Sequence, residues 1–143
     1  MTDPVIRRAG PGDVPAMAAI ANAWVDETEW NPRDLSPEEL EDFIRTALPE
    51  REIWVAGGPV CGYLSLDPET LRISGFYVST RGRGVGKALM DRVKQGRDRL
   101  WLHTHEPNLD AQRFYRREGF VEVSRHAPEP PDTVPEIRME WRA

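Results

Sequence analysis

The segment Arg81-Gly82-Arg83-Gly84-Val85-Gly86-Lys87 carries three glycines and three cations. A strand-like run, 71–78, precedes it, and Val85, Leu89, Met90 and Val93 follow at helical spacing. A glycine-rich turn that opens a helix suits an anion, because the free N–H groups of the first turn and the helix dipole both favour negative charge. Two nucleotide-binding templates fail here. A Walker loop needs glycine at the position of Arg81 and Ser or Thr at that of Ala88. The dinucleotide fingerprint Gly-x-Gly-x-x-Gly puts its third glycine on Lys87 when counted from Gly82, and on Leu89 when counted from Gly84. What remains is Arg81-x-x-Gly84-x-Gly86, with extra cations at Arg83 and Lys87, as a candidate phosphate site.

On the N-terminal side of this turn, residues 5–8 predict a short strand. Pro11-Gly12-Asp13 then leads into a helix marked by Met17, Ile20, Ala21 and Trp24, with Asp13 as its expected N-cap. Ser36, Pro37 and Glu39 form a capping-box signature for a second helix, continued by Leu40, Phe43, Ile44 and Leu48 and ended by Pro49. Strands at 53–56 and 60–66 flank the turn Gly57-Gly58-Pro59 and predict a hairpin, with 71–78 as the next strand. On the C-terminal side come a strand at 100–104 and a helix at 109–117 closed by Gly119. Strands at 120–123 and 136–141 follow, separated by a proline-rich loop. Direct hairpins mixed with helical connections predict an α/β fold around a sheet that is partly antiparallel.

At 143 residues the chain fits one domain over positions 1–143. No run approaches the length of a transmembrane helix, and Met1-Thr2-Asp3-Pro4 lacks the basic start of a signal peptide. The lone Cys61 and three scattered histidines give neither a disulfide nor a zinc spacing. The expectation is a cytoplasmic protein with no structural metal and no membrane partner. Charge is unevenly spread. Residues 26–52 hold ten acids against three arginines, whereas 81–99 hold seven bases against two acids. Such asymmetry fits either two solvated helix faces or separate anionic and cationic partners. The basic stretch contains no aromatic residue, which argues against single-stranded nucleic acid.

Arg81-x-x-Gly84-x-Gly86 resembles the acyl-CoA-binding motif of the GNAT N-acetyltransferase superfamily, whose loop amides bind the pyrophosphate of coenzyme A. One strand and one helix later, Asn108-x-x-Ala111-x-x-Phe114-Tyr115-x-x-x-Gly119-Phe120 is similar to the family's second cofactor-side motif. The resemblance spans about residues 5–141 in element order. It implies an α/β fold in which helices flank a mixed, mostly antiparallel central sheet with one splayed parallel pair of strands, here 73–78 and 100–104. It also implies acetyl-CoA as cofactor, held by Arg81, Gly82, Arg83, Gly84, Val85, Gly86 and Lys87, with Asn108 on the pantetheine arm. An N–H near Tyr77 or Val78 stabilises the oxyanion in this scheme, and Tyr115 is the general acid for the departing thiolate. One departure concerns the connection to Arg81. If Val78 is the family's strand valine, Ser79-Thr80 is shorter than usual; if Phe76 takes that place, Val78 replaces a proline.

The implied reaction is acetyl transfer to a primary amine by direct attack, with a catalytically silent acyl-CoA-binding regulatory domain as the alternative. No motif fixes the general base; Glu29, His103, His105 and Glu106 are candidates. The acids of 26–52, with Trp24 and Trp30, are an alternative signal for a cationic acceptor held by cation–π contact. Whether that acceptor is a small molecule, a peptide N-terminus or a lysine is left open, as is the oligomeric state.

Overall fold

The computed structural model describes residues 4–79, 82–128, 130 and 133–143. Arg81 and Thr80 therefore lie outside the described residues. The elements are β1 (Ile6–Arg8), α1 (Val14–Glu27), α2 (Pro37–Ala47), β2 (Glu52–Ala56), β3 (Gly62–Leu66), β4 (Arg72–Val78), α3 (Val85–Lys94), β5 (Arg99–His105), α4 (Leu109–Arg117), β6 (Val121–His126) and β7 (Glu136–Arg142). All seven strands join one sheet in the order β1-β2-β3-β4-β5-β7-β6. Every neighbouring pair is antiparallel except β4 and β5.

Alternation along the strands builds two cores. On β2, Ile53 and Val55 face one side, where they meet Val14, Met17, Ala18, Ala21 and Ile44 from α1 and α2. Ala56 faces the other side, where Leu64, Leu66, Leu89, Met90, Leu100, Leu102, Phe120, Ile137 and Met139 pack with α3. Central β3 is buried along its whole length because helices cover both its faces. No helix among the described residues is long and apolar enough to cross a membrane.

Helix α2 starts as its sequence predicts: Ser36 Oγ accepts from the Glu39 N–H at 3.1 Å, and Glu39 Oε1 accepts from the Ser36 N–H at 2.9 Å. Helix α1 does not. A 3-10 turn over Pro11–Asp13 precedes it, and Asp13 makes no side-chain cap to the helix. Its carboxylate instead accepts from the Gly10 N–H at 2.8 Å and takes two hydrogen bonds from the Arg7 guanidinium. That pairing holds the Asp13 carboxyl below the usual carboxylate range. The aspartate thus ties the turn back to β1, a role that local sequence does not specify.

Candidate active site

The parallel pair positions the site. β4 and β5 are in register only at Arg72↔Trp101 and Ile73↔Leu102, and beyond those residues the two strands part. A cleft of about 230 Å³ occupies the gap, lined by Ser74–Tyr77 on one side and Leu102–His105 on the other. Asn108, Ala111 and Tyr115 close it from α4, and Trp24 from α1.

The β4 edge presents amides to this gap. Tyr63↔Tyr77 and Gly62↔Val78 are opposed in the antiparallel ladder, which Ser79 extends by donating its N–H to Cys61 O at 2.8 Å. Bonded and non-bonded pairs alternate along such a ladder. Counting back from Ser79, Tyr77 spends its N–H on Tyr63, while Val78 and Phe76 turn theirs away from β3 and towards the gap. Of the two expected oxyanion amides, only that of Val78 faces the opening. Phe76 joins it as a donor that sequence reasoning missed, since the signal lies in the pairing with β3. β4 runs through Val78 without interruption.

The glycine-rich turn divides its glycines between two tasks. Gly82 and Gly84 adopt φ of +75° and +74°, a left-handed conformation that side chains other than glycine seldom take. A Cβ on either would meet nothing within 4 Å, so the space beside the turn is open to a ligand. Gly84 is the N-cap of α3 and supplies no side-chain cap, so an incoming anion would find the first-turn amides of Val85, Gly86 and Lys87. At Gly86 the constraint is packing: a Cβ would lie 3.4 Å from the Phe114 ring. Arg83 is exposed and has no ion-pair partner among the described residues. Lys87 is engaged differently, 3.4 Å from Asp91 and 3.6 Å from Glu118. Glu118 and then Asp91 hold its ammonium above the usual lysine range.

Tyr115 packs its ring 5.6 Å from both Phe114 and Phe120 and 6.3 Å from Phe76. Burial pushes its phenol well up, with a smaller push from Tyr77, so it remains protonated at neutral pH. Asn108 caps α4, its Oδ1 accepting from the Ala111 N–H at 3.1 Å. Its side-chain nitrogen is left as the donor for another group.

On the opposite sheet face, beyond the cover of α1 and α2, β5 presents Trp101, His103 and His105. His103 Nδ1 lies 2.9 Å from Glu136 Oε2, and both residues line the cleft. Burial, followed by the nearby Arg72 charge, lowers the imidazole pKa more than Glu136 raises it. His105 lies 5.3 Å from Trp30 and 6.4 Å from Trp24, ring to ring, with Tyr77 a further 5.4 Å from Trp24. Of the base candidates, His103 and His105 line the cleft; Glu29 and Glu106 do not.

The acids of 26–52 are also absent from the cleft lining, whose one carboxylate among the described residues is Glu136. Several are consumed locally: Asp26 pairs with Arg33, Glu41 and Asp42 with Arg45, Glu52 with Arg97, and Glu39 caps α2. Cys61, half-buried with its Sγ 3.5 Å from Ala56 O, is not in the cleft either. Among the described residues no group of three or more His, Cys, Asp or Glu could hold a metal.

Comparison with known proteins gives one consistent result. The family described as Acetyltransferase (GNAT) domain matches residues 49–122. The peptidyl-lysine N-acetyltransferase YiaC of Escherichia coli is 29% identical over 126 residues, covering 81% of this chain and 82% of that protein. The solution structure of apo-form YjaB from Escherichia coli superposes with a TM-score of 0.79 at 25% identity, covering 98% of each chain. The fold is shared as well with yncA of Salmonella typhimurium, solved with its cofactor acetyl-CoA, at a TM-score of 0.73 and 20% identity over 99% of this chain and 94% of the other.

Proposed function

This chain belongs to the GNAT family of acetyltransferases, and we propose that it moves the acetyl group of acetyl-CoA to the side-chain amine of a protein lysine by direct attack. The observation that carries this reading is one gap bordered by two outward-facing β4 amides and a protonated phenol. The lysine acceptor is suggested by YiaC, which is named for peptidyl-lysine acetylation.

The residues fit the donor. The first-turn amides of α3 and the open, left-handed turn at Gly82 and Gly84 take the pyrophosphate, with Arg83 adding charge and Arg81 as the motif cation. Val78, nearer that turn, hydrogen-bonds the pantetheine arm, together with the Asn108 amide. Phe76 lies deeper in the gap beside Tyr115, so its N–H is the donor for the oxyanion that develops on the thioester carbonyl. Bound acetyl-CoA supplies an activated acyl carbon and a thiolate leaving group.

A lysine amine arrives mostly protonated, with a reference pKa near about 10.4, and must lose that proton before it attacks. His103 takes it: Glu136 orients the ring through Nδ1, and its lowered pKa keeps the imidazole neutral at pH 7. After the new C–N bond forms and the C–S bond breaks, the Tyr115 hydroxyl protonates the departing sulfur. Trp24 and Trp30 flank the aliphatic part of the lysine from α1 and its following loop.

Calorimetric titration with acetyl-CoA, with ATP and NAD as controls, tests the donor site. Release of free thiol in the presence of lysine peptides then tests the acceptor. Selective acetyl-CoA binding followed by lysine-dependent thiol release is expected. Absence of acetyl-CoA binding by folded, cofactor-free protein would overturn the proposal.

A further inference from the structure

The floor of the cleft, where β4 and β5 still pair, holds a guanidinium that the acetyl-transfer scheme does not use. Arg72 opens β4 opposite Trp101, lines the cleft, and stacks over the Trp101 ring at 5.1 Å. Its Nε is buried and has no hydrogen-bond partner among the described residues. No carboxylate pairs with it among the described residues, although acids stand close by. Glu136 is taken by His103 at 2.9 Å. Arg138, which stacks on the same Trp101 ring at 3.9 Å, is taken by Glu140 at 2.9 Å. A third arginine, Arg51, donates to Ser74 Oγ.

A partly buried cation with an unsatisfied donor is costly unless something completes it. Guanidinium is built to take a carboxylate through paired N–H donors in one plane, and stacking on an indole fixes that plane. Arg72 shares its sheet face with Trp101 and His103, so a group bound to it sits beside the amine that His103 deprotonates.

We propose that Arg72 is an acceptor subsite that binds a carboxylate, so that the enzyme selects lysines adjacent to an aspartate or glutamate. This rests on the lysine-acceptor reading above. The acidic neighbour completes the Arg72 donors, and the lysine chain runs up the cleft towards Phe76 and Tyr115. A basic neighbour would meet the Arg72 charge and be repelled.

The test uses three peptides that are identical except for one residue next to the lysine: Glu, Gln or Arg. Acetylation is followed by mass spectrometry and thiol release at saturating acetyl-CoA. Wild-type kcat/KM is expected to fall on the order of tenfold from Glu to Gln, and further to Arg, with KM carrying the change. Arg72→Lys should keep the order, Arg72→Gln should flatten it, and Arg72→Glu should reverse it, all with acetyl-CoA affinity unchanged. The wild-type series decides the matter even if a variant folds poorly. Equal rates on all three peptides would overturn this inference alone. Peptides left unmodified by protein that binds acetyl-CoA would overturn the lysine reading and this inference with it.

Discussion

Replacing Tyr115 with phenylalanine removes one oxygen and leaves the surroundings almost unchanged. The ring keeps its neighbours Phe114 and Phe120 at 5.6 Å and Phe76 at 6.3 Å. Stability should therefore move by less than about 1 kcal/mol, read as the denaturant midpoint. The donor's phosphate and pantetheine contacts lie on other residues, so acetyl-CoA affinity should be unchanged in calorimetry. Turnover should fall steeply. The phenol is the group beside Phe76 able to protonate the thiolate, and a positioned general acid contributes about a hundredfold or more, or about 2.7 kcal/mol of barrier. Because burial raises the Tyr115 pKa, the wild-type enzyme should show no loss of this acid on the alkaline side until beyond the ordinary tyrosine range. The assay is steady-state thiol release with a lysine peptide at saturating acetyl-CoA. A kcat within about twofold of wild type would refute the assignment, because no positioned acid is worth so little.

Three further outcomes follow from the same geometry. Arg83→Glu and Gly84→Asp should each weaken acetyl-CoA binding about tenfold or more by placing negative charge at the α3 N-terminus, and Gly84→Asp should also cost roughly 1 kcal/mol for its left-handed backbone; calorimetry and urea melts read the two effects. His103 has a lowered pKa in the folded protein, so below about pH 6.5 the unfolded chain binds a proton that the folded one resists. Its contribution to stability is thus present above that pH and lost below it, the acidic limb of kcat/KM should fall below the ordinary imidazole range, and His103→Gln should abolish that limb. Phe120→Ala empties a side-chain site that is 2% exposed and should destabilise the protein by about 3–5 kcal/mol, read by urea unfolding.

The glycine-rich turn, both strand–helix motifs and nearly every element were legible in the sequence, because each rests on local rules. Ser36 with Glu39 writes a capping box within four positions, and three glycines with three cations over 81–87 mark the anion-binding turn. The apolar runs at 53–56 and 60–66, split by Gly57-Gly58-Pro59, signal a hairpin, since strand-forming residues on both sides of a turn pair with each other. Tyr115 and Asn108 were singled out because residues 108–120 resemble the family's second cofactor-side motif.

What the chain alone could not fix were relations between elements distant in sequence. The bond of Ser79 to Cys61 decides that Phe76 and Val78, rather than Tyr77, offer amides to the gap. Asp13 fits an N-cap equally well by pattern; Arg7, brought alongside by β1, claims its carboxylate instead. The run of acids at 26–52 suggested a cationic acceptor, yet none of them lines the cleft, and Glu41 and Asp42 pair with Arg45 four and three positions away on α2. His103 meets Glu136 only because β5 pairs with β7, and Arg72 reaches Trp101 only because β4 and β5 run parallel before they part. Backbone conformation answers to neighbours in the chain, and so it can be read from the chain. Which carboxylate reaches which cation answers to neighbours in space, and those exist only once the sheet has formed.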